Sequence, residues 1–170
     1  MKPQKPKPAL IIRKGEELPI SGPALIDLVR AVLDKEASFR FRAQGFSMSP
    51  FIKDDDVVTV SPMWSDSPRV GDVVAFVSPY AERLMIHRVL GKKGDHYLTK
   101  GDRALEPDGL VPRINILGRV RKVERKGRRI LLGLGPERII IALLTRNGFI
   151  FNLLLPIWRL IRPIARRWAT

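Results

Sequence analysis

Short apolar runs separated by turn residues dominate the middle of the chain, between Phe39 and Val123. Some runs alternate apolar with polar positions, and Gly, Asp and Pro punctuate them. This spacing is typical of β-strands in a small coiled barrel or sandwich, so the chain is predicted to be mainly β. The predicted strands are 39–44, 57–61, 73–77, 85–90, 96–99 and 114–123. A glycine inside the last strand, Gly118, predicts a β-bulge.

A helical period precedes the β region. Ser21 is a candidate N-cap, Pro23 suits a first turn, and polar residues occupy the opposite face. The pattern predicts an amphipathic helix of about four turns that packs on the sheet, with a substrate-gripping or membrane-surface role as the alternative. Its apolar positions are Leu25, Ile26, Leu28, Val29, Val32 and Leu33.

The two ends of the chain differ from this body. Residues 1–9 are rich in Pro and Lys, which predicts an extended or disordered arm with no cleavable signal peptide. The C-terminal part mixes apolar runs with arginines, and a helical tail is predicted there. The predicted division is 1–20 flexible arm and lead-in, 21–38 amphipathic helix, 39–132 β domain with the candidate site, and 133–170 basic-apolar tail.

Charge is concentrated in the C-terminal third. The 170-residue chain has a formal net charge of +14, and residues 113–170 hold 14 Lys and Arg against Glu124 and Glu137, a net of +12. The last apolar runs are too short to span a bilayer as one straight helix, which needs about 20 residues. Arginines interleaved with Leu, Ile, Phe and Trp predict a segment that lies in a membrane interface. The membrane-binding candidates are Trp158, Arg159, Arg162, Arg166, Arg167 and Trp168.

Other partners for the tail stay open. It could form a helical hairpin on the β domain or on a second protomer, or a kinked insertion. Basic clusters also bind phosphate backbones, so nucleic-acid binding is a further alternative. Apolar neighbours of the arginines favour lipid or protein, and we expect no specific nucleic acid. A peripheral membrane or cytoplasmic location follows, and the oligomeric state is left open.

Composition excludes several kinds of site. There is no cysteine, so a disulfide framework, a thiolate nucleophile and a thiolate metal site are all excluded. His87 and His96 are the only imidazoles, and His96 lies in a hairpin-like turn where we expect it at the surface. No metal and no cofactor are predicted.

Three pieces of the β region carry candidate chemistry. Ser47 lies in Gly45-Phe46-Ser47-Met48-Ser49-Pro50, where a glycine and a proline frame a turn that presents the serine. His87 stands inside the apolar run of residues 84–90, and Asp102 and Asp108 follow the next strand. Serine, imidazole and carboxylate are the parts needed for acyl transfer.

At these residues the sequence resembles the signal peptidase I family of serine proteases. Four family boxes occur in order over roughly residues 39–123: Ser47-Met48-Ser49-Pro50, residues 71–76 (GDVVAF), His87-Arg88-Val89, and Gly101-Asp102 with Asp108. His-Arg-Val in the third box is similar to the endoplasmic-reticulum and archaeal type. The resemblance implies an all-β catalytic fold and peptide hydrolysis after small residues of the Ala-x-Ala kind.

The resemblance also implies roles for single residues. Ser47 would be the nucleophile and His87 the general base, since imidazole changes protonation near neutral pH. Asp102 and Asp108 both match the family's acidic positions, and we favour Asp102 as the residue that orients His87 because its Gly-Asp turn is stiff. Gly45 stands where some relatives carry a hydroxyl for the oxyanion, so the backbone N–H of Ser47 must contribute more.

The remaining assignments concern binding and structure. An extended peptide added beside a strand edge is the expected substrate geometry. The oxyanion and substrate-binding candidates are Gly45, Phe46, Met48, Ile52, Met85 and Ile86. Asp72 and Arg88 are read as structural, as a turn cap and a strand-anchoring cation, and Asp55 stands where the family has glycine.

Two further readings of the β region stay open. By resemblance, the SOS-type repressor autoproteases share the fold. They use a lysine as base and carry a DNA-binding domain, whereas no helix-turn-helix is predicted in the residues before the β region. A catalytically weak relative that binds peptides without cutting them is the second alternative.

Overall fold

Ten antiparallel strands and two helices form the described part of the chain. The computed structural model describes residues 9–13, 16–20, 22–63 and 66–146, with side chains from residue 22 onward. The elements are β1 Ala9–Arg13, β2 Glu16–Ile20, α1 Gly22–Leu33, β3 Phe39–Arg42, β4 Val57–Ser61, β5 Val73–Val77, β6 Leu84–Lys93, β7 His96–Lys100, β8 Gly109–Pro112, a 3₁₀ turn Arg113–Asn115, β9 Ile116–Arg125, β10 Arg128–Ile130 and α2 Arg138–Arg146.

The strands pair into one sheet in the order β2-β1-β3-β4-β9-β5-β6-β7-β8, and β10 pairs with β9. The mainly β class predicted from the sequence is confirmed. Over the described strands the sheet is open, since it starts at β2 and ends at β8 and these two do not pair. It is therefore not a closed barrel.

The described residues form three hydrophobic clusters, and β5 contributes to the two larger ones. Val73 and Ala75 belong to the first cluster, and Val74 and Phe76 to the second. Because successive side chains of a strand point to opposite faces, a strand buried on both sides has a continuous apolar sequence, as this one does. The face of α1 that carries Leu25, Val29 and Leu33 packs into the first cluster, as the helical pattern predicted.

Gly118 lies at an irregularity of the sheet, as predicted. Ala75 pairs with Gly118 but Phe76 pairs with Ile116, so the register shifts by one residue between β5 and β9. A Cβ at Gly118 would lie 2.6 Å from the carbonyl oxygen of Ser61. The close approach of the neighbouring strand requires glycine at this position.

Several elements differ from the sequence prediction. Strands β1 and β2, Ala9–Arg13 and Glu16–Ile20, lie in the segment predicted as a flexible lead-in; they pair with each other, and β1 joins the sheet through Ile11 and Phe41. The apolar run Leu10-Ile11-Ile12 has the β-branched composition of a strand. Strands β8 and β10 were not predicted because each is only three or four residues long.

The C-terminal region is described only as far as α2. No helix among the described residues is long and apolar enough to cross a membrane. The predictions for residues 1–8, for Ser21 as N-cap and for the tail beyond residue 146, including all six membrane-binding candidates, lie outside the described residues. The four-part division of the chain otherwise stays a prediction.

Candidate active site

The nucleophile turn is fixed by backbone hydrogen bonds on both sides of Ser47. Gly45 has a φ of 92°, a left-handed conformation that glycine adopts without strain, and its N–H donates to Asp54 Oδ1 at 2.8 Å. The carbonyl oxygen of Ser47 accepts from the N–H of Arg103 at 2.7 Å. Met48 is buried in the first cluster directly below. The serine side chain is thus exposed on a turn that is anchored at three points.

His87 lies in β6 opposite Val74 of β5 and is 4% exposed. Its Nε2 is 2.9 Å from Ser47 Oγ, and its Nδ1 is 2.7 Å from Asp108 Oδ2. Both ring nitrogens are therefore engaged, one by the serine and one by a carboxylate. With Asp108 ionised, Nδ1 carries the proton and Nε2 accepts from the serine hydroxyl.

Asp108 is held in turn by β7. Its N–H donates to the carbonyl oxygen of Thr99 at 2.9 Å, and Thr99 Oγ1 donates to Asp108 Oδ2 at 2.9 Å. Thr99 is fully buried. The carboxylate oxygen that faces the imidazole thus receives a second hydrogen bond, which fixes its position.

Asp102 does not contact His87, so the preference for Asp102 as the orienting carboxylate is wrong. Its two oxygens each accept from Arg88, at 2.7 Å from Nε and 2.7 Å from Nη2. Arg88 Nη1 also donates to the carbonyl oxygens of Gly71 and Gly133. Arg88 follows His87 in β6 and points to the opposite face. Arg88 is the anchoring cation that the sequence predicted, and Asp102 is its counter-ion.

Gly101 lies directly against the Ser47–His87 pair. A Cβ at this position would be 2.7 Å from Ser47 O, 3.0 Å from Ser47 Cβ and 3.1 Å from His87 Nε2. Any side chain would force the two residues apart. The Gly-Asp box therefore serves two different purposes here: the glycine allows the close approach, and the aspartate holds Arg88.

Helix α2 supports the residues on both sides of Gly101. Lys100 Nζ donates to the carbonyl oxygen of Thr145 at 3.0 Å, and Thr145 Oγ1 donates to Asp102 Oδ1 at 3.3 Å. Lys100, Asp102 and Thr145 are all buried. A buried polar network thus runs behind the candidate site and ends on α2.

A carboxylate at the start of α2 closes this network. Burial by itself would raise the pKa of Glu137, but hydrogen bonds to its carboxylate from the N–H groups of Gly133 and Gly135, and the charge of Arg88, lower it below 4.5. Those bonds are 2.7 and 3.0 Å long. The charged glutamate fixes the turn whose Gly133 carbonyl accepts from Arg88.

The predicted substrate-binding residues are split by burial. Met48 and Ile52 are each 4% exposed and belong to the first core cluster, so they support the nucleophile turn from below. Phe46 is 61% exposed, and Met85 and Ile86 are half-buried. These three and the exposed Gly45 keep the accessible surface that a substrate contact needs.

The other singled-out residues have structural surroundings. Asp72 accepts from the N–H of Arg69 at 3.0 Å, as the predicted turn cap. Asp55 has a φ of 69°, the left-handed conformation that the family's glycine would also adopt. His96 is exposed in its turn. Among the described residues no group of three or more His, Cys, Asp or Glu side chains is arranged to hold a metal ion.

Four residues of the site were not found from the sequence. Asp54 accepts a hydrogen bond from Gly45, and Thr99 donates one to Asp108. Gly101 allows the close approach to Ser47 and His87, and Thr145 donates to Asp102. Gly101 belongs to the fourth family box, and Asp54 precedes Asp55, which stands at a family glycine position. The family resemblance could therefore have pointed to both residues. Thr145 lies 43 residues from Asp102, and its role has no local sequence pattern.

Comparison with known proteins gives one family match. The Peptidase S24-like family model matches residues 14–121, more than half of the 170-residue chain. The matched range contains Ser47, His87, Asp102 and Asp108. No curated protein matches the chain significantly.

Proposed function

The chain belongs to the Peptidase S24-like family, and from this premise we propose that it is a serine endopeptidase with Ser47 as nucleophile and His87 as general base. The observation that carries the proposal is the continuous hydrogen-bonded series Asp108–His87–Ser47, with distances of 2.7 and 2.9 Å. These are distances at which a base takes the proton of a hydroxyl nucleophile. The specificity we propose is that of the His-type signal peptidases.

The proposed reaction proceeds through an acyl-enzyme. His87 Nε2 takes the hydroxyl proton as Ser47 Oγ attacks the scissile carbonyl carbon, and the C–N bond breaks when the same proton passes to the leaving amine. Water then attacks the ester, with His87 accepting its proton and returning it to Ser47. Asp108 stabilises the imidazolium formed in both halves and keeps the ring oriented.

Stabilisation of the oxyanion is assigned to the backbone at the nucleophile. Gly45 has no hydroxyl to donate, so the N–H of Ser47 is the proposed donor. Among the described residues, no group accepts a hydrogen bond from this N–H. It is therefore free to bind the developing charge of the substrate.

The identity of the base needs an argument, because the S24 family typically pairs its serine with a lysine. Lys100 is the candidate lysine, because it precedes Gly101, which lies against Ser47. However, Lys100 Nζ donates to the carbonyl oxygen of Thr145 at 3.0 Å. Ser47 Oγ instead has His87 Nε2 as its hydrogen-bond partner. The contacts of these three residues support a histidine base in this member.

Substrate choice follows from the resemblance and from exposure. An extended peptide lying across the exposed Ser47 would run beside Phe46 and beside Met85, which lies on the same face of β6 as His87. Apolar walls of this kind accommodate small, uncharged side chains. We propose peptides with small residues of the Ala-x-Ala type before the cut.

The test is cleavage of such a peptide by the full chain, followed by mass spectrometry. Four proteins are compared: wild type, Ser47→Ala, His87→Ala and Lys100→Met. The expected result is cleavage by wild type, loss of cleavage in the serine and histidine variants, and retained cleavage per folded molecule in Lys100→Met. If Lys100→Met is inactive while His87→Ala cuts, the base assignment is wrong. If wild type and Ser47→Ala behave alike, the peptidase proposal is wrong.

A further inference from the structure

Helix α2 turns three large aliphatic side chains toward solvent. Ile139, Ile140 and Leu143 are 51%, 62% and 53% exposed, whereas Ile141, Ala142 and Thr145 are buried against the body of the protein. At 100° per residue the exposed and the buried positions occupy opposite sides of the helix. An amphipathic helix on a soluble surface normally places polar residues outward. The outer face of α2 lacks them except for Arg146.

The segment that leads into α2 continues the exposed apolar surface. Leu131 and Leu132, between β10 and the helix, are 72% and 60% exposed. Arg128 and Arg129 precede them and are exposed as well. Five large aliphatic side chains, flanked by arginines, are thus accessible within residues 128–146. Concentrated exposure of this kind marks an interaction surface.

An arginine-lined cleft adjoins the start of the helix. Its volume is about 90 Å³, and Arg119, Arg121 and Arg138 are among its walls. Arg138 is also the first residue of α2. Asp72 neutralises part of this charge, since Oδ2 accepts from Arg119 Nη1 at 3.1 Å and Oδ1 lies 3.5 Å from Arg138 Nε. Asp66, 3.7 Å from Arg119 Nη2, neutralises another part.

One unused donor remains in this cleft. The Nε atom of Arg119 is buried and has no hydrogen-bond partner among the described residues, whereas that of Arg138 has the 3.5 Å ion pair with Asp72 Oδ1. The residue Arg119 is 8% exposed. A buried guanidinium N–H without an acceptor is costly, and an anionic oxygen in the cleft would satisfy it. The cleft therefore suits an anionic oxygen, such as one of a phosphate group.

We propose that the outer face of α2, residues 131–132 and the arginine cleft together form a docking surface for a membrane that contains anionic lipid. The aliphatic side chains enter the acyl boundary, and the cleft takes a headgroup phosphate. The sequence from residue 138 to the end holds six arginines and no Asp or Glu, which gives the whole segment the charge that such a membrane attracts. The docking surface does not depend on the proposed peptidase activity.

Charge distinguishes this occupant from the alternatives. A second copy docked by a symmetric contact would bring Arg138 and Arg146 close to their own counterparts, which is repulsive. A nucleic acid would use the arginines but leave Ile139, Ile140 and Leu143 exposed. Free phosphate would fill the cleft and likewise leave the apolar face uncovered. Only an anionic lipid surface matches both parts.

The experiment is co-sedimentation of the full chain with vesicles of phosphatidylcholine alone and of phosphatidylcholine with phosphatidylglycerol. We expect binding to the anionic vesicles and little to the neutral ones. The double variant Ile140→Ser/Leu143→Ser should lose at least about tenfold in vesicle affinity, because two aliphatic side chains are no longer transferred from water to the membrane. Arg121→Gln, on the exposed rim of the cleft, should bind about fivefold more weakly.

Matched controls come from exposed residues outside the surface. Ile114→Ser removes an aliphatic side chain that is 81% exposed, and Arg83→Gln removes one exposed arginine, so each reproduces the change in composition alone. Both should bind like wild type. Thermal unfolding monitored by circular dichroism checks that every variant is folded, so that a loss of binding is not a loss of structure.

Several results would overturn the proposal. The proposal is wrong if the wild-type protein does not sediment with anionic vesicles. It is also wrong if the wild-type protein binds neutral and anionic vesicles equally. If the double variant binds like wild type, residues outside α2 carry the binding. A third result would assign the outer face of α2 to a contact between copies. In it, the wild-type protein does not bind vesicles and is a dimer in sedimentation velocity, and Ile140→Ser/Leu143→Ser is a monomer. If inorganic phosphate displaces the protein from vesicles as effectively as a soluble lipid headgroup does, the cleft binds free anions and is not specific for lipid.

Discussion

Asp108 Oδ2 lies 2.7 Å from His87 Nδ1 and 2.9 Å from Thr99 Oγ1, so one carboxylate oxygen receives both hydrogen bonds. Thr99 is buried in β7, and its carbonyl oxygen also accepts from the N–H of Asp108. The carboxylate is therefore fixed relative to β7, and the imidazole is fixed relative to the carboxylate. This arrangement directs His87 Nε2 toward Ser47.

Replacing Asp108 with Asn should impair the chemistry and leave the fold intact. An amide in place of the carboxylate no longer stabilises an imidazolium, and it favours the tautomer in which Nε2 carries the proton. We expect kcat for peptide cleavage to fall about 10²–10⁴-fold. The measurement is the steady-state rate with an Ala-x-Ala peptide, together with the midpoint of thermal unfolding.

Asp95→Asn is the control for this change, because Asp95 lies in the exposed turn between β6 and β7. It removes the same charge and should leave kcat unaltered. An Asp108→Asn protein with wild-type kcat would contradict the assignment of Asp108 as the orienting carboxylate.

Replacing Asp102 with Asn should mainly affect stability. Asp102 and Arg88 form a pair whose side chains are both fully buried, so the substitution leaves a buried guanidinium without its counter-ion. Loss of one partner of such a pair costs about 3–5 kcal/mol. Urea unfolding of both proteins measures the difference. An Asp102→Asn protein as stable as wild type but as inactive as Asp108→Asn would mean that Asp102 acts in catalysis after all.

Replacing Gly101 with Ala should separate the serine from its base. The new Cβ would lie 3.1 Å or less from Ser47 and His87 atoms, so one of the two must move. Misplacement of reacting groups by about 1 Å costs on the order of 10²-fold in rate. The rate of peptide cleavage is the measurement.

Gly91→Ala provides the matched comparison for this prediction. Gly91 lies in β6, which pairs with the strand before Gly101, and a Cβ at Gly91 would meet no atom within 4 Å. It should retain wild-type activity. Full activity in Gly101→Ala would show that the space beside the Ser47–His87 pair is not limiting.

Replacing Glu137 with Gln should change how stability depends on pH. Because the pKa of Glu137 is lowered by folding, the charged carboxylate stabilises the folded state above about 4.5, and this contribution is lost as pH falls through the lowered value. We expect the variant to be less stable than wild type by about 1–3 kcal/mol at neutral pH, and the gap to narrow in acid.

The measurement is urea unfolding of wild type and Glu137→Gln at neutral pH and at a pH below the ordinary value of 4.5. Glu82→Gln, at an exposed position between β5 and β6, is the control and should track wild type at both. A stability gap for Glu137→Gln that stays constant with pH would contradict a role of the charge.

Elements with a strong local pattern were predictable, and elements held by pairing alone were not. Strand β4 and strand β5 were predicted at their observed bounds because their apolar runs are framed by Asp, Gly and Pro. The β1–β2 hairpin was missed because the Pro- and Lys-rich start of the chain masks the short apolar run that follows. Its two strands are defined by pairing with each other, and β1 joins the sheet through the pair of Ile11 with Phe41.

The sequence by itself determined the chemical parts of the site. Ser47, His87 and two candidate aspartates were readable because they stand in order within four short boxes, whose residue types together supply a nucleophile, a base and carboxylates. The charge and apolar composition of the C-terminal region were equally readable, since both depend only on residue type.

Only the tertiary structure decided which aspartate serves which residue. Asp102 and Asp108 are six positions apart on one connection, and either could face β6 from the sequence. His87 and Arg88 point to opposite faces of that strand, so one carboxylate meets the imidazole and the other meets the guanidinium. The same limit applies to α2, whose outward aliphatic face becomes visible only when Thr145 is seen to bind Lys100 and Asp102 on the inner side. Side-chain direction depends on contacts between distant segments, and local sequence does not specify those contacts.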